Sequence, residues 1–402
     1  MSQAEPAAPA RRPRRVAQVA RAFLHRTETF LYTYATGLEG WDVHVICEER
    51  RHPELFPFDE ARIHSREECS WPSLRERGYA WLSNRERLGL WRHFDTRRPF
   101  VACVLRRLQP ELVHAQFGWQ GAWIHEECAR LGIPLITSFY GLDLSELAKR
   151  PRYRSSYASL FEKGTLFLTE GPAMEDTLVE LGCPRAKIRR QILGIDTERF
   201  AFREPRRPNG PLRLIQIASL REKKGHATLL RACAQLRERG VAFELRLVGS
   251  GKLETELRQL TQELELDQHV QWLGSRTHDE CAELLGDSHI FVHPSVLAAD
   301  GDREGGAPTI LLEAQARGLP IVATQHDDIP FFVRANETGL LVPERDPAAL
   351  ADALAELAAS PERWPTMARA GRAHVEARFS KERALSMLRQ NYDEALSLGR
   401  LS

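Results

Sequence analysis

Glu304 and Glu313 close the two ends of "EGGAPTILLE", with two glycines, an alanine, a proline and an apolar run between them. Pro308 suits the first turn of a helix, because its missing N–H would be unpaired there anyway. Gly318 follows the last periodic residue and ends the helix, and Pro320 forbids its continuation. The segment "PIVAT" then reads as a short buried strand. A loop leading into a helix in this way puts Gly305, Gly306 and Ala307 where unpaired backbone N–H groups and the helix dipole favour an anion, phosphate above all. Small residues let the backbone approach it closely. Apolar residues cover nearly the whole circumference of the helix, and a buried carboxylate is costly unless it is hydrogen-bonded. Glu313 therefore has two readings. It points along one exposed stripe with Gln315 and Arg317, or it accepts hydrogen bonds from a ligand, for which the two hydroxyls of a ribose are suited.

Two further turns carry related chemistry. "SLREKKGH" follows the apolar segment "LRLIQIA" and places Lys223 and Lys224 beside a glycine, where an ammonium would neutralise a diphosphate as a point charge. "LVGSGKLE" is another strand-to-helix turn, with Gly249 and Gly251. Glycine at such a turn is ordinary punctuation taken singly. Three such turns at strand ends of one sheet point to a phosphorylated or nucleotide ligand.

The elements that must hold these turns alternate between strand and helix. "RVAQVA", "DVHVICE", "ELVHAQF", "IPLITSFY" and "TLFLTE" read as strands before the segment Phe202 to Arg213, "FREPRRPNGPLR", whose Pro, Arg and Gly mark a linker. After it come "LRLIQIA", "AFELRLVG", "VQWLG", "HIFVHPS", "PIVAT" and "GLLV", with helical segments between. This alternation predicts parallel sheets covered on both faces. Two doubly wound α/β domains joined by a linker place a ligand cleft between them. A length of 402 residues fits two domains. A formal net charge of +1 gives no argument for a nucleic-acid partner. The seven Cys show no CxxC pair and no metal-ligand spacing, and an odd number of scattered thiols suits a reducing compartment. No apolar run approaches the roughly 18 residues of a membrane span, and the basic N-terminus lacks an apolar core, so a cytoplasmic protein is expected. One segment breaks the pattern. Trp71 to Arg107 holds nine Arg against three acidic residues, with interleaved aromatics. It reads either as a helix lying on an anionic membrane surface or as a solvated helical face with its aromatics on the core.

These residues resemble the glycosyltransferase family 4 retaining enzymes of the GT-B fold, and within them the exopolysaccharide (colanic-acid-type) transferases. The resemblance runs from "RTETFLYTY" through "LVHAQFG", "SFYGLDLSEL", "LGIDTERF", "SLREKKGHATLLRA" and "LVGSGKLETEL" to "EGGAPTILLEAQARGLPIVAT" and "NETGLLVPERDPAALADAL". It implies a disordered tail at 1–14, an acceptor-binding Rossmann-like domain at 15–204, a nucleotide-sugar-binding one at 205–379, and a last helix at 380–402 that packs back on the first domain. It implies transfer of a sugar from a UDP- or GDP-sugar to an acceptor hydroxyl, saccharide or lipid-linked, with retention and without metal or other cofactor. Glu313 matches the ribose-binding glutamate, Glu304 the one near the donor sugar, and Lys224 the lysine on the diphosphate. Gly305, Gly306, Ala307, Ser219, Arg221, Gly249 and Gly274 fall on the donor side, and Asp143 and His114 on the acceptor side, with Glu304, Lys224 and Tyr140 in catalytic positions. Three features depart from the family pattern. The two glutamates are separated by eight residues where seven is usual, Ser219 stands where an arginine is common, and Tyr140 stands where a histidine is common. A catalytically inactive protein of the same fold, binding a nucleotide sugar or a partner transferase, is the other reading; a GT-B epimerase fits the motifs less well.

Overall fold

A computed structural model describes residues 13–25, 28–67, 97–145, 147–306 and 308–400, with backbone alone at 97–99. Most of the Trp71–Arg107 segment and all of Ala307 lie outside the described residues.

The strands form where the apolar runs predict them, and their order is what positions a ligand. The N-terminal sheet has its strands in the order Ile63–Ser65, Trp41–Cys47, Arg14–Val19, Leu112–Gln116, Leu135–Ser138, Leu166–Thr169, Ile188–Arg190. Pairings from Ile63–Ser65 across to Leu135–Ser138 are parallel. The second sheet is parallel throughout, in the order Val270–Gly274, Phe243–Val248, Leu212–Ile217, Ile290–His293, Ile321–Thr324, Gly339–Val342. Both are doubly wound, and both reverse direction beside their first strand. In such sheets ligands bind outside the strand carboxyl ends at that reversal. In the second sheet it falls between Leu212–Ile217 and Ile290–His293.

Alternation explains the burial on both faces of this second sheet. Leu212, Leu214, Leu245, Leu247, Val292 and Val322 pack on one face with helices His226–Glu238 and Pro347–Ala359. Ile215, Val248, Phe291, Ile321 and Ala323 pack on the other, with helices His278–Gly286 and Thr309–Arg317. Successive side chains point to opposite faces, so a strand covered on both sides is apolar at most positions. Residues 201–211, within and just before the Pro- and Arg-rich segment, form neither helix nor strand.

The described chain divides into two compact units, one of Met1–Ser138, Glu162–Phe167 and Arg389–Ser402, the other of Phe139–Phe161 and Leu168–Leu388. Within the first, Tyr392 of the helix Lys381–Gly399 is fully buried against Trp41 and His114. Thiols are buried in both units: Cys128 in the first, Cys183, Cys233 and Cys281 in the second. Burial raises all four thiol pKa values, Cys281 to about 11 and Cys183 to about 12. Among the described residues no helix is long and apolar enough to cross a membrane.

Candidate functional site

The loops at the reversal of the second sheet bring together residues far apart in sequence. After strand Leu212–Ile217 the chain makes a single 3₁₀ turn, Glu222–Lys224, ended by Gly225 in the left-handed region (φ 68°). A Cβ at Gly225 would overlap the carbonyl of Pro294, so only glycine lets the two loops meet. Lys224 then reaches across to Glu304. Its Nζ lies 2.7 Å from each carboxylate oxygen. Glu304 Oε1 also accepts from Ser295 Oγ at 2.6 Å and from His293 Nε2 at 3.2 Å. Burial alone would raise the pKa of Glu304. The charge on Lys224, the His293 hydrogen bond and the charge on Lys223 outweigh it and hold the carboxyl well below its ordinary range. An ionised carboxylate only accepts, so the His293 proton sits on Nε2, on a ring that burial keeps neutral.

A second layer supports this pair. Asp302, almost fully buried, accepts from Lys223 Nζ at 3.1 Å and pairs with Arg221 at 3.2 Å. Arg221 is thereby engaged by Asp302. Asp327 pairs with Arg303 and accepts the Gly305 N–H at 2.8 Å, so that donor, expected to face an anion, is already engaged. His326 contacts Asp327 at 3.1 Å and Glu344 at 2.7 Å. Burial opposes the charged imidazole, and the two carboxylates overcome it, so its pKa is raised. Asp327 is pushed down to about 2, because hydrogen bonds from His326 and Arg303 overcome its burial.

The two glycines after Glu304 also have structural reasons. Gly305 (φ 78°) lies against Gly141, and a Cβ on either would overlap the other loop. Gly141 begins the short helix Gly141–Leu144, placing Tyr140 and Asp143, both buried, next to this loop. A Cβ on Gly306 would overlap the carboxylate of Glu170.

Glu313 answers the sequence question by burial. The exposed-stripe reading is overturned: Glu313 is 7% exposed, and Gln315 and Arg317 are buried with it. Gln315 Nε2 donates to the carbonyls of Leu311 and Phe332, and Arg317 Nη1 to that of Ala201, so main-chain acceptors take up part of the polarity. Glu313 Oε1 meets His278 Nε2 at 3.1 Å. Pro308 is the N-cap and not a first-turn residue; the helix begins at Thr309 and ends at Gly318 in the left-handed conformation.

The remaining candidates have more structural surroundings. Ser219 is exposed just beyond the strand end. Gly249 donates its N–H to the Gly274 carbonyl at 2.9 Å, and a Cβ there would overlap the Ala218 carbonyl. His114 belongs to the first unit and is fully buried, with Nδ1 2.8 Å from Tyr392 Oη and Nε2 2.8 Å from Ser138 Oγ. Burial drives its pKa down to about 3, and both nitrogens serve the packing of that unit. Sequence reasoning assigned no role to His293, Ser295, Asp302, Asp327 or His278. The one available signal was "HPS", which ends the strand at the sheet reversal.

Known proteins share this arrangement of elements. A sequence pattern described as Glycosyl transferases group 1 matches residues 197–374, and one described as Glycosyltransferase Family 4 matches residues 27–199. The amylovoran biosynthesis glycosyltransferase AmsK of Erwinia amylovora is 34% identical over 294 residues, covering 73% of this chain and 70% of that protein. WcaL of Escherichia coli K12, named as a putative colanic acid biosynthesis glycosyltransferase, is 40% identical over 250 residues, covering 62% of this chain and 61% of WcaL. The chain thus spans less than two thirds of WcaL. Among solved structures, Anabaena Alr3699/HepE in complex with UDP superposes with a TM-score of 0.75 at 16% identity, covering 94% of this chain and 99% of that one. Sucrose-phosphate synthase of Thermosynechococcus elongatus superposes with a TM-score of 0.73 at 20% identity, covering 96% and 99%. The fold is GT-B.

Proposed function

The chain belongs to the family 4 glycosyltransferases, its two halves matching the family's two patterns, and from that premise we propose that it transfers a sugar from a nucleotide-sugar donor to an acceptor hydroxyl on a growing or lipid-linked surface polysaccharide. The observation that carries the reading is the Lys224–Glu304 pair at the reversal of the second sheet. It sets a cation and a carboxylate side by side where the fold receives ligands. In the proposed mechanism the donor diphosphate replaces Glu304 as the partner of Lys224, and Glu313, held by His278, accepts the ribose hydroxyls. Bond formation from the acceptor oxygen to the anomeric carbon occurs on the face from which the phosphate leaves. The acceptor proton passes to the departing phosphate oxygen, which gives retention without a separate strong base. Lys224 stabilises the charge developing on the diphosphate, the task elsewhere given to a metal ion. The resemblance to polysaccharide-building relatives supports the acceptor class.

Calorimetric titration of UDP, GDP and their common sugar conjugates, without added metal, tests this. One nucleotide binds in the micromolar range, and the binding is lost in Glu313→Ala. Absence of binding by any of them removes the donor site and favours the catalytically inactive reading.

A further inference from the structure

We propose that Glu170 is a specificity-determining residue of the donor site, its carboxyl hydrogen-bonding the hydroxyls of the transferred sugar across the face of Gly306. Glu170 follows the strand Leu166–Thr169 and is 6% exposed. Among the described residues no hydrogen bond or ion pair reaches its side chain. Two of the acidic groups around it are held by hydrogen bonds. Asp328 accepts from the N–H groups of Ala173 at 2.7 Å and Met174 at 3.3 Å, at the start of the helix Pro172–Glu180. Glu304 has Lys224, His293 and Ser295. Buried polar groups in folded proteins find partners, and an unsatisfied one needs a reason. A ligand hydroxyl would supply a partner to Glu170.

Gly306 says from which side the ligand comes. A Cβ at 306 would overlap Glu170 Oε2, so with glycine there the carboxyl sits directly beside the loop Glu304–Gly306. The loop leads into the helix Thr309–Arg317, the same one that carries Glu313. Charge then divides the site. The charges of Lys223 and Lys224 act on Glu304, and those of Asp328, Asp143 and Glu304 on Glu170. A diphosphate is attracted to the two lysines, and a carboxyl with its pKa raised, as at Glu170, gives it no countercharge. The hydroxyls of the sugar attached to it are what a carboxyl at Glu170 can hydrogen-bond. Burial, together with the charges of Asp328, Asp143 and Glu304, raises the pKa of the Glu170 carboxyl well above the ordinary range, and a protonated carboxyl both donates to and accepts from a hydroxyl. This assignment rests on the donor reading proposed above.

The test compares the unaltered protein with Glu170→Gln and Glu170→Ala by calorimetry, using the nucleoside diphosphate alone and its sugar conjugate, with turnover and thermal melting alongside. All three proteins bind the diphosphate alike. Glu170→Gln, which keeps a donor and an acceptor, retains the added affinity of the conjugate. Glu170→Ala loses about tenfold of it, as expected for one lost hydrogen-bonding group, and melts no lower than the unaltered protein. Unchanged affinity and turnover in Glu170→Ala overturn the proposal. So does a lowered melting temperature with lost diphosphate binding, which marks a structural role, and so does lost turnover at unchanged conjugate affinity, which moves the contact to the acceptor. If the unaltered protein binds no nucleotide, the donor reading itself fails, an outcome distinct from these.

Discussion

Asp327 and Asp328 are sequence neighbours, each almost fully buried, yet their surroundings drive them in opposite directions. Asp327 is stabilised as a carboxylate by His326 and Arg303 and sits at about 2. Asp328 is raised to about 6, because burial and the charge of Asp327 outweigh its two backbone hydrogen bonds. The sign of each effect on stability follows from linkage. The lowered Asp327 contributes stability that is present above its ordinary pKa of 3.8 and is lost as pH falls toward about 2. The raised Asp328 favours the folded protein below 3.8, and that contribution is lost as pH rises through about 6. Asp327→Asn is therefore expected to cost about 2 kcal/mol at neutral pH, since a tenfold change in proton affinity corresponds to about 1.4 kcal/mol, with the deficit closing in acid. Asp328→Asn keeps an oxygen for the helix start, and its urea midpoint gains on the parent's between pH 4 and 6, then runs parallel. A constant offset for both variants across this range would contradict the assignment.

The helix Thr309–Arg317 shows what the element scale adds. Its end at Gly318 requires φ of 100°, and a Cβ there would overlap the Arg203 carbonyl. Gly318→Ala combines an unfavourable backbone conformation with a backbone collision and is expected to lower stability by about 1–3 kcal/mol in denaturant titrations. That termination was legible in the sequence, as were the strands, because parallel strands buried on both faces leave continuous apolar runs. The helix start was off by one residue, since a proline lacks the N–H equally well at the N-cap and in the first turn. The side on which Glu313 lies was not legible. Polar neighbours at 315 and 317 suggested water, whereas main-chain carbonyls from Phe332 and Ala201 receive them inside. Residue types and local spacing pointed to Lys224 and Glu304 separately. Their meeting depends on strand order across 80 residues of chain, and so do the partnership of Glu313 with His278 and the contact of Glu170 with Gly306.

At the scale of the whole molecule, the C-terminal helix serves two units. Its stretch from Arg389 belongs with the first unit, the residues before it with the second. Tyr392 anchors the first by its hydroxyl, 2.8 Å from His114 Nδ1 and 3.4 Å from Gln18 Nε2. Tyr392→Phe keeps the ring but leaves these buried groups short of a partner, and is expected to cost the first unit about 1–3 kcal/mol, read as earlier melting; an unchanged melting curve would show that the hydroxyl does nothing there. The buried thiols make such losses separately visible. The thiolate is the form that attacks a thiol reagent, and at neutral pH neither Cys128 nor Cys233 supplies one while enclosed. Modification at Cys128 then times the opening of the first unit, and modification at Cys233 that of the second. The chain carries two intrinsic clocks, one per unit, and peptide mapping of the labelled protein would read each without an added probe.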